Sequence, residues 1–207
     1  MTSSCARLAK LVDATDLKSV AASSWRPGSS PGAGTNFNEK SVVTILLRAL
    51  APTDSVAELT ALLHAAYAAL DKLGLNYTAV DHSEDVTRER IASGECYVAM
   101  DGAQIVGTIL VRRHPTGCFW YDQDFVAGLG QFCVLPAVQR GGIGGRLMEL
   151  AENRALALGA RELALDTSES ALHLVQWYSR RGYRPVDSVQ WDGKTYRSLI
   201  LSKTLQI

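Results

Sequence analysis

The chain has 207 residues, with 21 basic and 21 acidic side chains and a formal net charge of zero. That length fits one domain with an extension, or two very small domains. A composition of 47% hydrophobic and 20% charged residues is that of a packed globular protein, and zero net charge gives no whole-molecule field to draw nucleic acid or an anionic membrane.

Residues 1–40 stand apart from the rest. They are rich in Ser, Ala and Gly, interrupted by Pro27 and Pro31, and show no core pattern. Asp13 and Asp16 interrupt any signal-peptide core. Gly28-Ser29-Ser30-Pro31 can be encoded by GGT TCG AGT CCC, which resembles the T-arm of a transfer RNA gene. The run Leu11 to Ser19 resembles the matching D-arm and anticodon stem read in frame. Either the start is placed too early, inside a tRNA gene, or this is a natural flexible tail. Both readings predict a disordered extension before a domain over 42–207.

Within that domain Val42 to Leu50 is an apolar, β-branched run and predicts a first strand. Ser55-x-x-Glu58 is a capping box for a helix whose apolar face is Val56, Leu59, Leu63, Ala66, Leu70 and Leu73, closed by Gly74. Ser83 predicts the start of a second, shorter helix that runs through Ile91 to Gly94. Glu95–Met100 and Gln104–Arg113 flank Asp101-Gly102 and read as a hairpin. A loop with Trp120, Tyr121, Asp122 and Asp124 leads to a fourth strand, 129–135, stopped by Pro136. Next come a glycine cluster, a helix to Gly159, and a fifth strand over 162–166. A helix from about Ser168 to Gly182 precedes two strands, near 183–191 and 194–203, joined at Asp192-Gly193. This order predicts a single α/β (α+β) domain, a mixed central sheet flanked by helices.

The most informative stretch runs from Val134 to Leu147, where a strand feeds a glycine-rich loop that opens a helix. Such a turn aims free N–H groups and the positive helix end at one spot, and glycines let a phosphate come close. Arg140 and Arg146 oppose the helix dipole there, which makes sense if a polyanion occupies the site. A P-loop would need Lys and Ser/Thr after Gly145, where Arg146 and Leu147 stand. A dinucleotide fingerprint from Gly142 would need glycine where Leu147 stands.

Gln139-x-x-Gly142-x-Gly144, preceded by Val134-x-Pro136 and followed by Tyr178-Ser179-Arg180-Arg181-Gly182-Tyr183, resembles the ordered motifs of the GNAT superfamily of N-acetyltransferases. The likeness covers about 42–205. It implies a GNAT-like domain that moves an acetyl group from acetyl-CoA to a primary amine of a small molecule or peptide. By this resemblance Phe132, Cys133 and Val134 offer backbone groups to the pantetheine arm. Gln139, Arg140, Gly141, Gly142, Ile143, Gly144 and Gly145 hold the pyrophosphate. Tyr178 protonates the departing thiolate. Many members carry Asn where this chain has Ala171; either the segment Asp166–Glu169 replaces that contact or the contact is absent.

The general base stays open. Some relatives use a glutamate on the fourth strand, where this chain has Gln131, which could only orient a water. Asp122, Asp124 and His114 are candidates from the loop, and Trp120, Asp122 and Asp124 could shelter a cationic amine. The rival reading is an acyl-CoA-binding sensor without turnover. The four cysteines have no metal-ligand spacing, so no metal is expected. Reduced thiols point to the cytoplasm, and a monomer or homodimer is expected.

Overall fold

The computed structural model describes residues 44–206; the reading of residues 1–40 lies outside them. The strands are β1 (Ile45–Ala49), β2 (Glu95–Asp101), β3 (Gln104–Arg112), β4 (Val126–Val134), β5 (Glu162–Ser168), β6 (Arg184–Val189) and β7 (Ser198–Thr204). The helices are α1 (Val56–Asp71), α2 (Glu84–Ala92), α3 (Ile143–Ala157) and α4 (Leu172–Ser179). The strands form one sheet in the order β1-β2-β3-β4-β5-β7-β6. Neighbours are antiparallel except β4 and β5, which run parallel. This is the mixed sheet flanked by helices that the sequence predicted.

Two cores cover the two faces. On one, Leu59, Leu62 and Leu63 of α1 pack on Val98, Leu110 and Cys133. On the other, Leu147, Met148, Ala151 and Ala155 of α3 join Tyr178 of α4 over Ile109, Leu129, Leu163 and Leu165. Each Leu, Ile, Val or Met side chain buried this way contributes about 1.5–3 kcal/mol, so the sheet is fixed from both sides.

The caps form as expected, with one change. The Ser55 hydroxyl accepts from the Glu58 N–H, but the Glu58 carboxylate accepts from the Ile105 N–H at 2.7 Å instead of returning to Ser55. It thus ties α1 to the β2–β3 hairpin. α1 stops at Asp71, leaving Leu73 64% exposed, and Leu62 joins the buried face in its place. β4 begins at Val126, earlier than predicted, because its first three residues pair with β5. β5 runs on to Ser168, paired with Ser198, so α4 starts only at Leu172. β6 and β7 do not meet at Asp192-Gly193. The Lys194 ammonium donates to the Asn76 carbonyl and the Thr78 hydroxyl, and the Thr195 N–H donates to Asn76 Oδ1. These bonds pull the loop away from the ladder and onto the segment after α1.

Candidate active site

β4 and β5 are paired over three residues only, Val126↔Glu162, Ala127↔Leu163 and Gly128↔Ala164, yet they continue to Val134 and Ser168. A bulge in β4 accompanies the split. Thr108 pairs with Cys133 and Leu110 with Gly130, so Gln131 and Phe132 face Ile109 alone. Gln131 takes φ 44°, in the left-handed region. Such an extra residue bends a strand and redirects the residues beyond it. The Leu135 N–H donates to Val106 O. In an antiparallel ladder the next pair, Gly107 and Val134, is then the non-bonded one. The Val134 N–H and the Phe132 carbonyl therefore point away from β3, into the split. The Phe132 carbonyl accepts from the Tyr67 hydroxyl at 3.2 Å.

β4 leads into the glycine loop. Gln139 Nε2 donates to the Val134 carbonyl at 3.0 Å and holds the loop against the strand. Arg140 (φ 66°) and Gly142 (φ 82°) both adopt left-handed backbone just before α3. Left-handed steps beside helical ones turn successive N–H groups to one side and form an anion-binding nest. Among the described residues no side chain caps α3, and its first turn has no acid, so its orphan N–H groups and positive end are oriented to meet an anion. A Cβ on Gly142 would have nothing within 4 Å, so that side is open to a ligand.

The second arginine predicted here is elsewhere. Arg146 Nη2 donates to the Ile45 carbonyl of β1. Its place is taken by Arg181 of the turn after α4. The Arg181 guanidinium lies 3.4 Å over the Trp177 ring, and Nη2 would be 3.6 Å from a Cβ on Gly145.

Split, nest and α4 enclose one cleft of about 620 Å³. Phe132, Cys133, Val134, Gln139, Arg140, Gly142, Ile143, Gly144, Gly145 and Tyr178 all line it. Gly141 is not among its walls. Tyr178 is 7% exposed. Burial, with smaller contributions from Tyr77 and Asp166, pushes its hydroxyl well above the ordinary tyrosine range, so it stays protonated at neutral pH and enters as a donor. Burial likewise raises Tyr67. The chemistry of the walls fits acetyl-CoA: a nest and two arginines for phosphates, outward backbone groups for amides, and a protonated hydroxyl at the inner end.

The predicted acceptor residues fall outside the cleft walls. Asp122 and Asp124 are exposed, and Asp122 Oδ1 accepts from the Gly117 N–H. Trp120 packs with Phe125 and faces Arg184. Gln131 is buried beside the cleft, with neither amide atom bonded to a described residue. The carboxylate that does line the cleft is Asp166. Its Oδ1 accepts from the Tyr121 hydroxyl at 3.5 Å and Oδ2 from the Ser198 hydroxyl at 3.4 Å, both long. One signal could have found it. In β5, Leu163 and Leu165 alternate onto the α3 face, which puts the two carboxylates Glu162 and Asp166 on the opposite face; Glu162 is paired with Arg184, which leaves Asp166.

Comparisons agree with this geometry. The chain is 29% identical over 147 residues to S-(2-succino)cysteine N-acetyltransferase of Bacillus subtilis (strain 168), covering 68% of this chain and 85% of that protein. The fold is shared with PH1933 from Pyrococcus horikoshii OT3, at TM-score 0.64, 18% identity, 79% of this chain and 100% of that one. A GNAT family acetyltransferase from Elizabethkingia anophelis with acetyl-CoA bound superposes at TM-score 0.57, with 19% identity, 78% of this chain and 98% of that one. The profile of the acetyltransferase (GNAT) family matches residues 60–183, from α1 through the tyrosine and glycine that end α4. With the split strands, the nest and Tyr178 in one cleft, this chain belongs to the GNAT family of acetyltransferases.

Proposed function

We propose that the cleft acetylates a primary amine of a small molecule by direct transfer in a ternary complex, with Tyr178 and Asp166 as its two proton-handling groups. The donor is acetyl-CoA, which supplies an activated acetyl thioester. Phe132, Cys133 and Val134 hold its pantetheine arm through backbone bonds, and Arg140 to Gly145 with Arg181 hold its phosphates. The Val134 N–H donates to the carbonyl oxygen as negative charge grows there. Asp166 receives the amine proton, directly or through one water, as nitrogen attacks. Tyr178 donates a hydrogen bond to the departing sulfur and passes it a proton once the C–S bond has broken. Solvent then returns a proton to Tyr178 and takes the amine proton from Asp166, so that one proton moves overall from the amine to the thiolate. The observation that carries this reading is the Val134 N–H, Tyr178 and Asp166 converging on one split in the sheet.

A relative that acetylates S-(2-succino)cysteine makes that compound the first acceptor to try. The three described cysteines, Cys96, Cys118 and Cys133, are free thiols, which supports a reducing cytoplasm. The test is a screen of amines, amino acids and peptides with acetyl-CoA, following thiol release and product mass. Release that depends on an added amine is the expected result. Tight coenzyme A binding by calorimetry, with no amine acetylated, would favour the binding-module reading instead.

A further inference from the structure

The sheet face that carries Asp166 bears both signs of charge, and its positive side has no carboxylate partner among the described residues. Arg112, the last residue of β3, pairs in register with Gly128 of β4, and Gly128 pairs with Ala164 of β5. Asp166 lies two residues beyond Ala164, on the same face. Between Arg112 and Asp166, β4 shows that face only Gly128 and Gly130. Pro115 covers Gly128, lying 2.7 Å from where a Cβ would be. Above Gly130 the nearest group is Arg112 itself, with Nη2 at 3.2 Å. The sheet surface between the arginine and the aspartate thus has no side chain at Gly130.

Arg112 Nε is buried and bonds to no described residue, and Arg112 takes part in no ion pair among them. Next to it is the end of α2. A Cβ on Gly94 would lie 3.0 Å from Arg112 Cγ, and Arg90 stands four residues earlier, in the last turn. Arg90 is half-buried and has no carboxylate partner among the described residues either. Burial first, then the Arg112 charge, holds its guanidinium below the ordinary value. Partly buried cations without partners are unfavourable. Two of them converging beside an acceptor site form a place that an anionic group would neutralise.

We infer that the acceptor is an amine that also bears a carboxylate, an amino-acid-like zwitterion, with its carboxylate on Arg112 and Arg90 and its nitrogen toward Asp166. This rests on the acetyl-transfer reading above. Guanidinium forks match a planar carboxylate bidentately. One zwitterion satisfies Asp166 and the arginines together. A simple cationic amine would meet the arginines with like charge.

Matched sets built on the standard amino acids test this: each free acid, its carboxamide and its decarboxylated amine. Each is assayed with acetyl-CoA by thiol release, and titrated calorimetrically onto the protein with coenzyme A present. At least one acid is expected to show kcat/KM about tenfold or more above its carboxamide. Arg112→Gln is expected to raise the KM for that acid about 10- to 100-fold while kcat and the acetyl-CoA KM hold. Arg112→Lys keeps the charge without the fork and recovers part of the loss. Gly130→Ala, whose Cβ presses on Nη2, moves KM in the same direction with every charge intact. Equal rates for acids, carboxamides and decarboxylated amines, or an unchanged acid KM in Arg112→Gln, overturn the carboxylate site and leave acetyl transfer standing. If no member is acetylated while coenzyme A binds, amine transfer fails instead. The calorimetric preference for acid over carboxamide, and its loss in Arg112→Gln, then decides the anion site by itself.

Discussion

The two ends of the cleft are made of different material. The proposed cofactor end is largely backbone: the Val134 N–H, the left-handed Arg140 and Gly142, and the first turn of α3, all within one contiguous stretch. The proposed acceptor side is side chains: Asp166 of β5, which lines the cleft, and beside it Arg112 of β3 and Arg90 of α2, with Arg112 and Asp166 related by sheet register across Gly128. A backbone site needs particular conformations in sequence, so it leaves glycines and fixed spacings behind. A side-chain site needs only that distant residues meet, and it can be rebuilt for another acceptor without touching the loop.

If this division holds, substitutions at the two ends should fail in different ways. The largest effect is expected at Gly142. Gly142→Asp puts a carboxylate where phosphate should sit and forces a side chain onto φ 82°. Calorimetry is expected to show coenzyme A affinity falling by about a thousandfold or more, with the fold retained. Unchanged affinity would break the comparison at its stronger end.

Tyr178→Phe removes one oxygen from a ring packed near Phe132, Trp177 and Tyr183. A fall in kcat of about 10²-fold is expected, at the lower end for general-acid help, with acetyl-CoA affinity and Tm held. If kcat stays near the wild-type value while chemistry limits the rate, Tyr178 is a packing residue.

Asp166→Asn is expected to lower kcat/KM about 10- to 100-fold without altering acetyl-CoA binding. Raising the pH should restore part of the rate, because more of the amine is then free. A loss of coenzyme A affinity instead would move Asp166 to the other end of the cleft.

The smallest effect concerns the α1–α2 connection. His82 is buried, with ring nitrogens bonded to the Thr78 carbonyl and the Thr87 hydroxyl, and Thr87 meets Thr60 of α1 at 2.7 Å. Burial, partly opposed by the Thr78 bond, lowers its pKa below the free-histidine value. The folded state therefore favours neutral His82. Its contribution is complete above about pH 6.5, the unfolded value, and declines as pH falls below it. Thermal scans should show Tm dropping by a few degrees from pH 7 toward pH 5.5. A flat profile would mean that protonation of His82 is accommodated.

The same division explains what the sequence makes legible. The seven strands and four helices of the described residues are readable from alternation, capping residues and Asp-Gly turns, and the cofactor stretch from its spacing. Arg146 is misplaced from sequence because a cation in a first turn looks the same whether it faces a ligand or, as here, the β1 edge. Asp122 and Asp124 draw attention as acids near aromatics, yet the loop turns them to solvent. Asp166 does not stand out as a base because its role depends on β4 carrying glycine at 128 and 130 directly alongside. That is a fact of register, which a single chain read in order does not display.

The short seam between β4 and β5 has a thermodynamic consequence. With three residue pairs holding them together, the strands part where the pantetheine arm is proposed to lie, so a bound cofactor acts as an extra strand joining the two halves of the sheet. Occupancy and folding are then linked, and a ligand at about 100 times its Kd adds about 2.7 kcal/mol of stability. The Val134 amide would report that linkage most locally: its proton should exchange readily with solvent in the free protein and become protected when the cofactor binds, without any change in the flanking ladder.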